Sequence, residues 1–280
     1  TISSETWRRG GFVQLRASHT KTCLDPILTF LKAIGVKAFP SHELVLLSQA
    51  AGYDSIFVDL EHSSFSISDS SRVCSSALLA GITPFVRVPY QCGIGFVQQV
   101  LDGGALGIIF PHVSTVEEAK HAVQCTKFPP IGKRSLTATL VQFKYERIGA
   151  KEAMQQLDSS GSTVIILVET AECLANVDAI ASVNGVDALL LGANDLSLEL
   201  GILGEWEHPK FQAALEAVAA AANRAGKIFG ICGLYTRPDI CKHAVKELRA
   251  QYILGHLDVG LLAMAMNRNV ELLKEMEYQT

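Results

Sequence analysis

The feature that most constrains the fold is a series of short apolar runs that alternate with helix-like segments. Continuous apolar runs are typical of strands in a parallel sheet whose two faces are both covered by helices. The intervals hold amphipathic segments that begin at a serine, as at Ser41 and Ser68. The eight runs are residues 11–17, 55–60, 83–89, 105–112, 135–143, 163–169, 187–192 and 227–233. Eight strand–helix units in roughly 250 residues predict an α/β fold of the (β/α)8 TIM-barrel type rather than an open sheet.

The residues after the eighth run are surplus to this barrel. Residues 252–256, YILGH, precede an apolar helical pattern, and we expect this C-terminal extension of about 257–280 to cap the barrel or to pack on a neighbouring subunit. Residues 18–40 show no clear period and predict a loop near the first strand. Because the chain has no internal repeat, low-complexity tract or linker, we expect residues 1–280 to form a single domain.

Composition and charge exclude several classes of protein. The chain has 280 residues, 49% of them hydrophobic, and a net charge of −4 without a basic tract, so we expect no nucleic-acid partner. No stretch of about 18 apolar residues runs uninterrupted, so we expect no membrane span. Seven dispersed cysteines without a Cys-x-x-Cys pair predict reduced thiols rather than disulfides or a zinc site. The N-terminus lacks the apolar stretch of a secretory signal, and these features together predict a soluble cytoplasmic protein.

Polar residues stand at the carboxyl ends of the predicted strands, which is where a TIM barrel builds its active site. The run at 55–60 leads into the sequence VDLEH, with three ionisable side chains in four positions. Unpaired charge is costly to bury, so these side chains are expected at the open mouth of the barrel rather than in its core. The residues at the strand ends are Asp59, Glu61, His62, Arg87, His112, Glu169, Gly192, Ala193, Asn194 and Asp195.

Two of these residues, Glu169 and Asp195, are acids that follow neighbouring predicted strands. Paired carboxylates, without cysteine and with few histidines nearby in the sequence, suit a hard divalent cation such as Mg²⁺ or Mn²⁺. Two protein ligands leave several coordination positions for water and for substrate oxygens. The alternative is that each acid only caps the helix after it, as Asp195 can do ahead of Leu196 and Ser197.

The histidine and the arginine at the strand ends suit acid/base chemistry and anion binding. His62 lies three residues after Asp59, and a carboxylate bonded to one ring nitrogen raises the basicity of the other. The alternative is a surface histidine in a loop. The planar fork of Arg87 suits a substrate carboxylate, and an ion pair with Asp59 or Glu61 is the alternative, compatible with that role. His112 either lines the mouth or is a hydrogen-bonded core histidine.

An ordered set of motifs, which includes every strand end named above, resembles the HpcH/HpaI aldolase family. These are class II pyruvate-dependent aldolases within the phosphoenolpyruvate mutase/pyruvate kinase-like barrel superfamily. The matching stretches are DLEHSSF (59–65), FVRVP (85–89), the Gly-Ala and PHV pattern at 104–113, FPPIGKRS (128–135), the segment 167–197 and the glycine-bearing run at 227–233. They cover most of residues 40–235.

The resemblance implies roles for individual residues. Carried over by position, it implies metal ligands at Glu169 and Asp195 for Mg²⁺, or for Mn²⁺ or Co²⁺. It implies that Arg87 contacts the oxygens of pyruvate, and that His62, oriented by Asp59, is the catalytic acid/base. The backbone N–H groups of Gly192, Ala193 and Asn194 are implied to hold the pyruvyl carboxylate. The resemblance further implies a homo-oligomer, often a hexamer that exchanges its C-terminal helices.

The activity that the resemblance implies is that of a divalent-metal-dependent carbon–carbon lyase. Such an enzyme forms a pyruvate enolate by retro-aldol cleavage of a 4-hydroxy-2-oxo acid, by decarboxylation of oxaloacetate, or by both. Its partner is a small 2-oxo acid. No lysine stands at a predicted strand end in the site, which argues against a Schiff-base route.

The chain departs from the family pattern at several positions around the site. Leu167 replaces a common glutamine, Ala193 and Ser64 replace common prolines, and Ser135 replaces the glycine of an Arg-Gly pair. These departures leave enolate chemistry in place and put the usual sugar or succinic semialdehyde acceptor in doubt. Three alternatives stay open: enolate addition to a pyrone as in macrophomate synthase, a citrate lyase β-like CoA-thioester lyase, and a barrel that has lost catalysis and serves as a scaffold.

Overall fold

The computed structural model describes residues 30–276, in which eight parallel strands close into a barrel in chain order. The strands are β1 (Leu31–Val36), β2 (Ser55–Asp59), β3 (Thr83–Arg87), β4 (Gly107–Phe110), β5 (Thr163–Val168), β6 (Ala188–Gly192), β7 (Ile228–Cys232) and β8 (Tyr252–Leu257). Helices separate the strands, so the predicted (β/α)8 TIM barrel is confirmed.

Several helices begin at the capping residues that their sequences provide. The Ser41 hydroxyl accepts a hydrogen bond from the Leu44 N–H, and Thr115 forms a capping box with Glu118. The helices are α1 (His42–Ala50), α2 (Ile67–Ala80), α3 (Ile94–Asp102), α4 (Val116–Thr126), α5 (Ala150–Ser160), α6 (Ala171–Ala175), α7 (Val177–Ala181), α8 (Ala193–Glu199), α9 (Pro209–Arg224), α10 (Pro238–Lys246) and α11 (Asp258–Lys274), with a 3₁₀ turn at Val141–Phe143.

Strand periodicity carries the site residues to the inside of the barrel mouth. Successive side chains of a strand point to opposite faces, so residues two apart share a face. Ile165 and Leu167 on β5 pack in the apolar cluster inside the barrel, and the same alternation directs Glu169, immediately after β5, to the interior. On β2, Phe57 belongs to this inner cluster and Asp59 follows it on the same face. The interior of the barrel therefore changes from apolar to acidic at the carboxyl ends of the strands.

The register between neighbouring strands fixes which of these residues meet. Asp59 of β2 pairs directly with Arg87 of β3, so a carboxylate and a guanidinium are placed side by side. Leu167 of β5 pairs with Leu190 of β6, which brings Glu169 and Gly192 to the same level of the barrel. The contacts at the mouth are thus set by the backbone.

Three strand predictions are corrected by the structure. The first strand is β1, in the stretch predicted to be a loop, while the run at 11–17 lies outside the described residues. The run at 135–143 is not a strand, because Leu140 and Phe143 pack with Phe128 beside the barrel. Residues 252–256 are part of β8, the eighth strand, rather than surplus.

The predicted C-terminal helix is present as α11, and it follows the eighth strand directly. Among its residues only Asp258 is buried. Its exposed apolar side chains, with that of the following Met276, are Val259, Leu262, Met264, Met266, Val270, Leu272 and Leu273. Packing of this helix on a neighbouring subunit stays a prediction. No helix within residues 30–276 has the length and the apolar character needed to cross a membrane.

Candidate active site

A cavity of about 150 Å³ opens at the carboxyl ends of the strands. Of the residues that the sequence places at the strand ends, all but Glu61 and His112 line it: Asp59, His62, Arg87, Glu169, Gly192, Ala193, Asn194 and Asp195. These residues come from the ends of four strands and from the first turn of α8. The carboxyl ends of the strands meet at the mouth of the barrel and so bring together side chains that lie far apart in the sequence.

The acidic side of the cavity consists of Glu169 and Asp195. Glu169 is 1% exposed, and its Oε1 accepts a hydrogen bond of 2.7 Å from the His112 backbone N–H. Burial raises the pKa of Glu169 to about 8, with that N–H opposing the shift and the nearby charge of Asp195 adding to it. Ionised together, the two carboxylates repel each other, and that of Glu169 is poorly solvated.

These two carboxylates fit a hard divalent cation, because a positive charge between them removes both the repulsion and part of the desolvation cost. Gly192 contributes to the fit, since a Cβ at this position would lie 3.0 Å from Oε2 of Glu169. Within residues 30–276 no group of three or more His, Cys, Asp or Glu side chains has metal-binding geometry. Glu169 and Asp195 are therefore a pair that could hold such a cation, with the other coordination positions left to water and substrate.

The opposite side of the cavity is built around Arg87. Its Nε and Nη2 donate to the two carboxylate oxygens of Asp59 at 3.1 and 2.7 Å, and its Nη1 lies 3.1 Å from Oε2 of Glu61. Burial works against ionisation of Asp59, but Arg87 and two backbone N–H groups hold the pKa of its carboxyl below the usual value. The ion pair considered as an alternative for Arg87 is therefore formed, with both acids.

The predicted side-chain dyad of Asp59 and His62 is not formed in the structure. Oδ1 of Asp59 accepts the backbone N–H groups of Glu61 and His62 at 3.0 and 3.1 Å, so this acid holds the turn and not the imidazole ring. The carboxylate nearest to the ring belongs to Glu61, with 3.7 Å between Nε2 and Oε2. The His62 side chain is 51% exposed and lies at the rim of the cavity.

His112 lies between the two sides of the site. Its Nδ1 is 3.3 Å from Oε1 of Glu169, and its Nε2 is 3.3 Å from Oε1 of Glu61. The backbone of His112 adopts the left-handed region with φ 53°, which is uncommon outside glycine and directs its N–H to Glu169. Of the two possibilities for His112, the structure places it at the mouth, where its ring meets Tyr90 edge to face.

The cavity also contains residues that the sequence analysis did not single out. Lys37 follows β1 directly, so a lysine does stand at a strand end, contrary to our expectation. Gly233 and Tyr235 follow β7, and Gly233 has φ 88°, a conformation that favours glycine. Lys37 belongs among the strand-end residues once β1 is known to be a strand.

Comparisons with known proteins identify the family of this chain. The family model described as HpcH/HpaI aldolase/citrate lyase matches residues 39–255. The chain belongs to the HpcH/HpaI aldolase/citrate lyase family. Its members are generally divalent-metal-dependent aldolases, and the chain is accordingly an aldolase-type carbon–carbon lyase.

Two curated fungal relatives and one solved structure are notably similar. The 4-hydroxy-4-methyl-2-oxoglutarate aldolase tasA of Hapsidospora irregularis is 47% identical over 83% of this chain and 86% of its own length. The 4-hydroxy-4-methyl-2-oxoglutarate aldolase cghB of Chaetomium globosum is 43% identical over 84% and 87%. The HpcH/HpaI aldolase from Desulfitobacterium hafniense superimposes with a TM-score of 0.83 and 26% identity, over 97% of this chain and 100% of its own.

Proposed function

We propose that the protein cleaves 4-hydroxy-4-methyl-2-oxoglutarate, or a closely similar 4-hydroxy-2-oxo diacid, with the help of a divalent cation at Glu169 and Asp195. The observation that carries this proposal is the carboxylate pair at the mouth of the barrel, the buried Glu169 and the half-buried Asp195, which lines the same cavity as an arginine and a histidine. The choice of substrate is supported by the two fungal relatives, which are 47% and 43% identical and bear the name of that activity.

The metal would be Mg²⁺, Mn²⁺ or Co²⁺, all of which accept carboxylate ligands. Once bound, it would supply Lewis-acid stabilisation for the negative charge that the 2-oxo group gains during cleavage. The N–H groups of residues 192–194 would hold the pyruvyl carboxylate. Arg87 lines the same cavity and adds positive charge to it, while its bonds to Asp59 and Glu61 keep the guanidinium in place.

Proton transfer is assigned to His62. At the rim of the cavity its imidazole takes the proton of the 4-hydroxyl group, whose O–H electrons become the C4 carbonyl bond. The C3–C4 bond then breaks and its electron pair forms the enolate of pyruvate, which is protonated at C3. One molecule of 4-hydroxy-4-methyl-2-oxoglutarate yields two of pyruvate. Decarboxylation of oxaloacetate would reach the same enolate without His62, because no hydroxyl proton has to be removed.

Pyruvate release tests the proposal directly. The purified protein is incubated with 4-hydroxy-4-methyl-2-oxoglutarate or oxaloacetate in the presence of Mg²⁺, and pyruvate is measured with a coupled dehydrogenase. We expect two pyruvates per molecule of the hydroxy diacid, and we expect His62→Ala to slow this cleavage about 10²- to 10⁴-fold, as the loss of a general base does. Release of no pyruvate from the hydroxy diacid contradicts the proposal.

A further inference from the structure

One cationic side chain that lines the cavity has no partner among residues 30–276. Lys37 is half-buried at the mouth, and its ammonium forms no ion pair or side-chain hydrogen bond with any residue in the range 30–276. The other cationic side chain of the cavity, Arg87, is already engaged by Asp59 and Glu61 through all three of its nitrogens. Lys37 therefore carries the positive charge that is available to a ligand.

The backbone that bears this lysine is held firmly in place. Asp258 is 3% exposed, and its carboxylate accepts the N–H groups of Lys37, Ala38 and Phe39 at 3.1, 3.0 and 2.8 Å. Asp258 stands at the start of α11, directly after β8, which is the neighbour of β1 in the barrel. A buried carboxylate thus fixes the loop after β1, while the lysine side chain extends from that loop to the cavity.

The position of Lys37 in the ring of strands suggests which part of a substrate it meets. In a closed barrel of eight strands in chain order, β1 lies opposite β5. Glu169 follows β5, so Lys37 and the carboxylate pair stand on opposite sides of the mouth. A 4-hydroxy-2-oxo acid whose 2-oxo end lies at Glu169 and Asp195 extends its C4 substituents toward the β1 side.

We propose that Lys37 binds the carboxylate carried by C4 of the substrate and thereby selects diacids over 4-hydroxy-2-oxo acids derived from aldehydes. An ammonium in a partly desolvated cavity forms a charge-assisted hydrogen bond with a carboxylate, and it gains nothing comparable from a methyl or hydrogen substituent. This inference rests on the proposed function for the orientation of the substrate. In the direction of synthesis, the same lysine would hold the carboxylate of the acceptor 2-oxo acid.

The test uses two unreactive ligands that differ only in the group of interest. 2-Oxoglutarate has the main chain and both carboxylates of the proposed substrate without the hydroxyl and methyl groups on C4, and 2-oxopentanoate carries a methyl group in place of the second carboxylate. Their affinities are measured by calorimetry in the presence of Mg²⁺ for the wild type, Lys37→Met and Lys37→Arg. Lys32→Met is the matched control, because Lys32 lies on the same strand at its opposite end, paired with Asp54.

We expect Lys37→Met to weaken 2-oxoglutarate binding about 10- to 100-fold, as the loss of a charged hydrogen bond of roughly 1.5–3 kcal/mol does, and to leave 2-oxopentanoate binding within about twofold. Lys37→Arg should restore most of the preference, and Lys32→Met should keep all of it. An equal loss for both ligands, or none for 2-oxoglutarate, overturns the inference. Because no cleavage is measured, the result is independent of whether the hydroxy diacid is the true substrate.

A second measurement separates carboxylate binding from covalent chemistry. The protein is incubated with pyruvate and borohydride, which reduces a Schiff base to a stable amine, and its intact mass is then determined. An ion-pairing role for Lys37 predicts an unchanged mass. A pyruvate adduct that appears in the wild type and disappears in Lys37→Met assigns the lysine to a Schiff base and overturns the inference.

Discussion

Two groups of carboxylates lie on facing sides of the barrel mouth, and they differ in what neutralises them. Asp59 and Glu61 are held by Arg87, which contacts both. Glu169 and Asp195 form no ion pair with any lysine or arginine of residues 30–276, and Glu169 has the ring and the backbone N–H of His112 as its polar partners there. The pKa of Asp59 is accordingly lowered, whereas that of Glu169 is raised to about 8.

This difference indicates which acids belong to the framework and which await a ligand. The first group is complete within the chain, because the Arg87 guanidinium supplies the counter-charge, and both Arg87 and two backbone N–H groups donate hydrogen bonds to Asp59. The second group carries up to two negative charges with no ion pair to a lysine or arginine of residues 30–276, and Glu169 of this group is buried, so the more distant charge of Arg87 offsets only part of the cost. A divalent cation would provide the missing charge, and this contrast between the two sides is what supports the proposed metal site.

The largest expected effect is a loss of stability when Arg87 is removed from Asp59 and Glu61. Arg87→Met leaves Asp59 and Glu61 buried without their counter-ion, and removing one partner of a buried ion pair typically costs about 3–5 kcal/mol of unfolding free energy. Urea denaturation measures this loss. The matched control is Arg72→Met, because Arg72 is 66% exposed and paired with Asp69, so its loss is expected to cost less than about 1 kcal/mol. Equal midpoints for the two variants would contradict the structural role of Arg87.

A smaller expected effect is the pH dependence of stability that comes from Glu169. In metal-free protein, folded Glu169 keeps its proton up to a pH of about 8, whereas the unfolded chain releases it near the ordinary value of 4.5. Between these values the folded state binds more protons, so stability falls as pH rises, by at most about 1.4 kcal/mol per pH unit.

Melting temperatures of the metal-free protein between pH 5 and 8 check this slope. Glu169→Gln should flatten it, because glutamine does not titrate, and Glu172→Gln, at an exposed position three residues later, should not. The same slope in all three proteins would show that Glu169 is ionised throughout, and the contrast with Asp59 would then fail.

The sequence predicts the site better than it predicts the barrel around it. Strand ends are recognisable where a long apolar run stops at a charged residue, as at Asp59 and Glu169. β1 is not recognisable in this way, because its six residues, LKAIGV, include an exposed lysine and a glycine. Its apolar character is evident only in the structure, where it pairs with β2 and β8. For the same reason the sequence does not identify Lys37 as a strand-end residue.

Side-chain partners are harder to predict than strand ends. The spacing of Asp59 and His62 is compatible with a dyad, but the chain turns after β2 so that the Asp59 carboxylate accepts two backbone N–H groups and faces Arg87. The strand register that aligns Asp59 with Arg87 decides between these arrangements, and register is a long-range property. The contact of His112 with Glu169 likewise depends on a left-handed backbone conformation, which the sequence around His112 does not predict.

Removal of the metal tests the central claim most directly. The protein is stripped with EDTA and dialysed, its metal content is determined, and cleavage of 4-hydroxy-4-methyl-2-oxoglutarate is followed before and after addition of Mg²⁺, Mn²⁺ or Co²⁺. The proposed metal site at Glu169 and Asp195 predicts that stripped protein is inactive, that added cation restores cleavage, and that Asp195→Asn prevents the restoration. Full activity in protein shown to contain no metal would contradict the account.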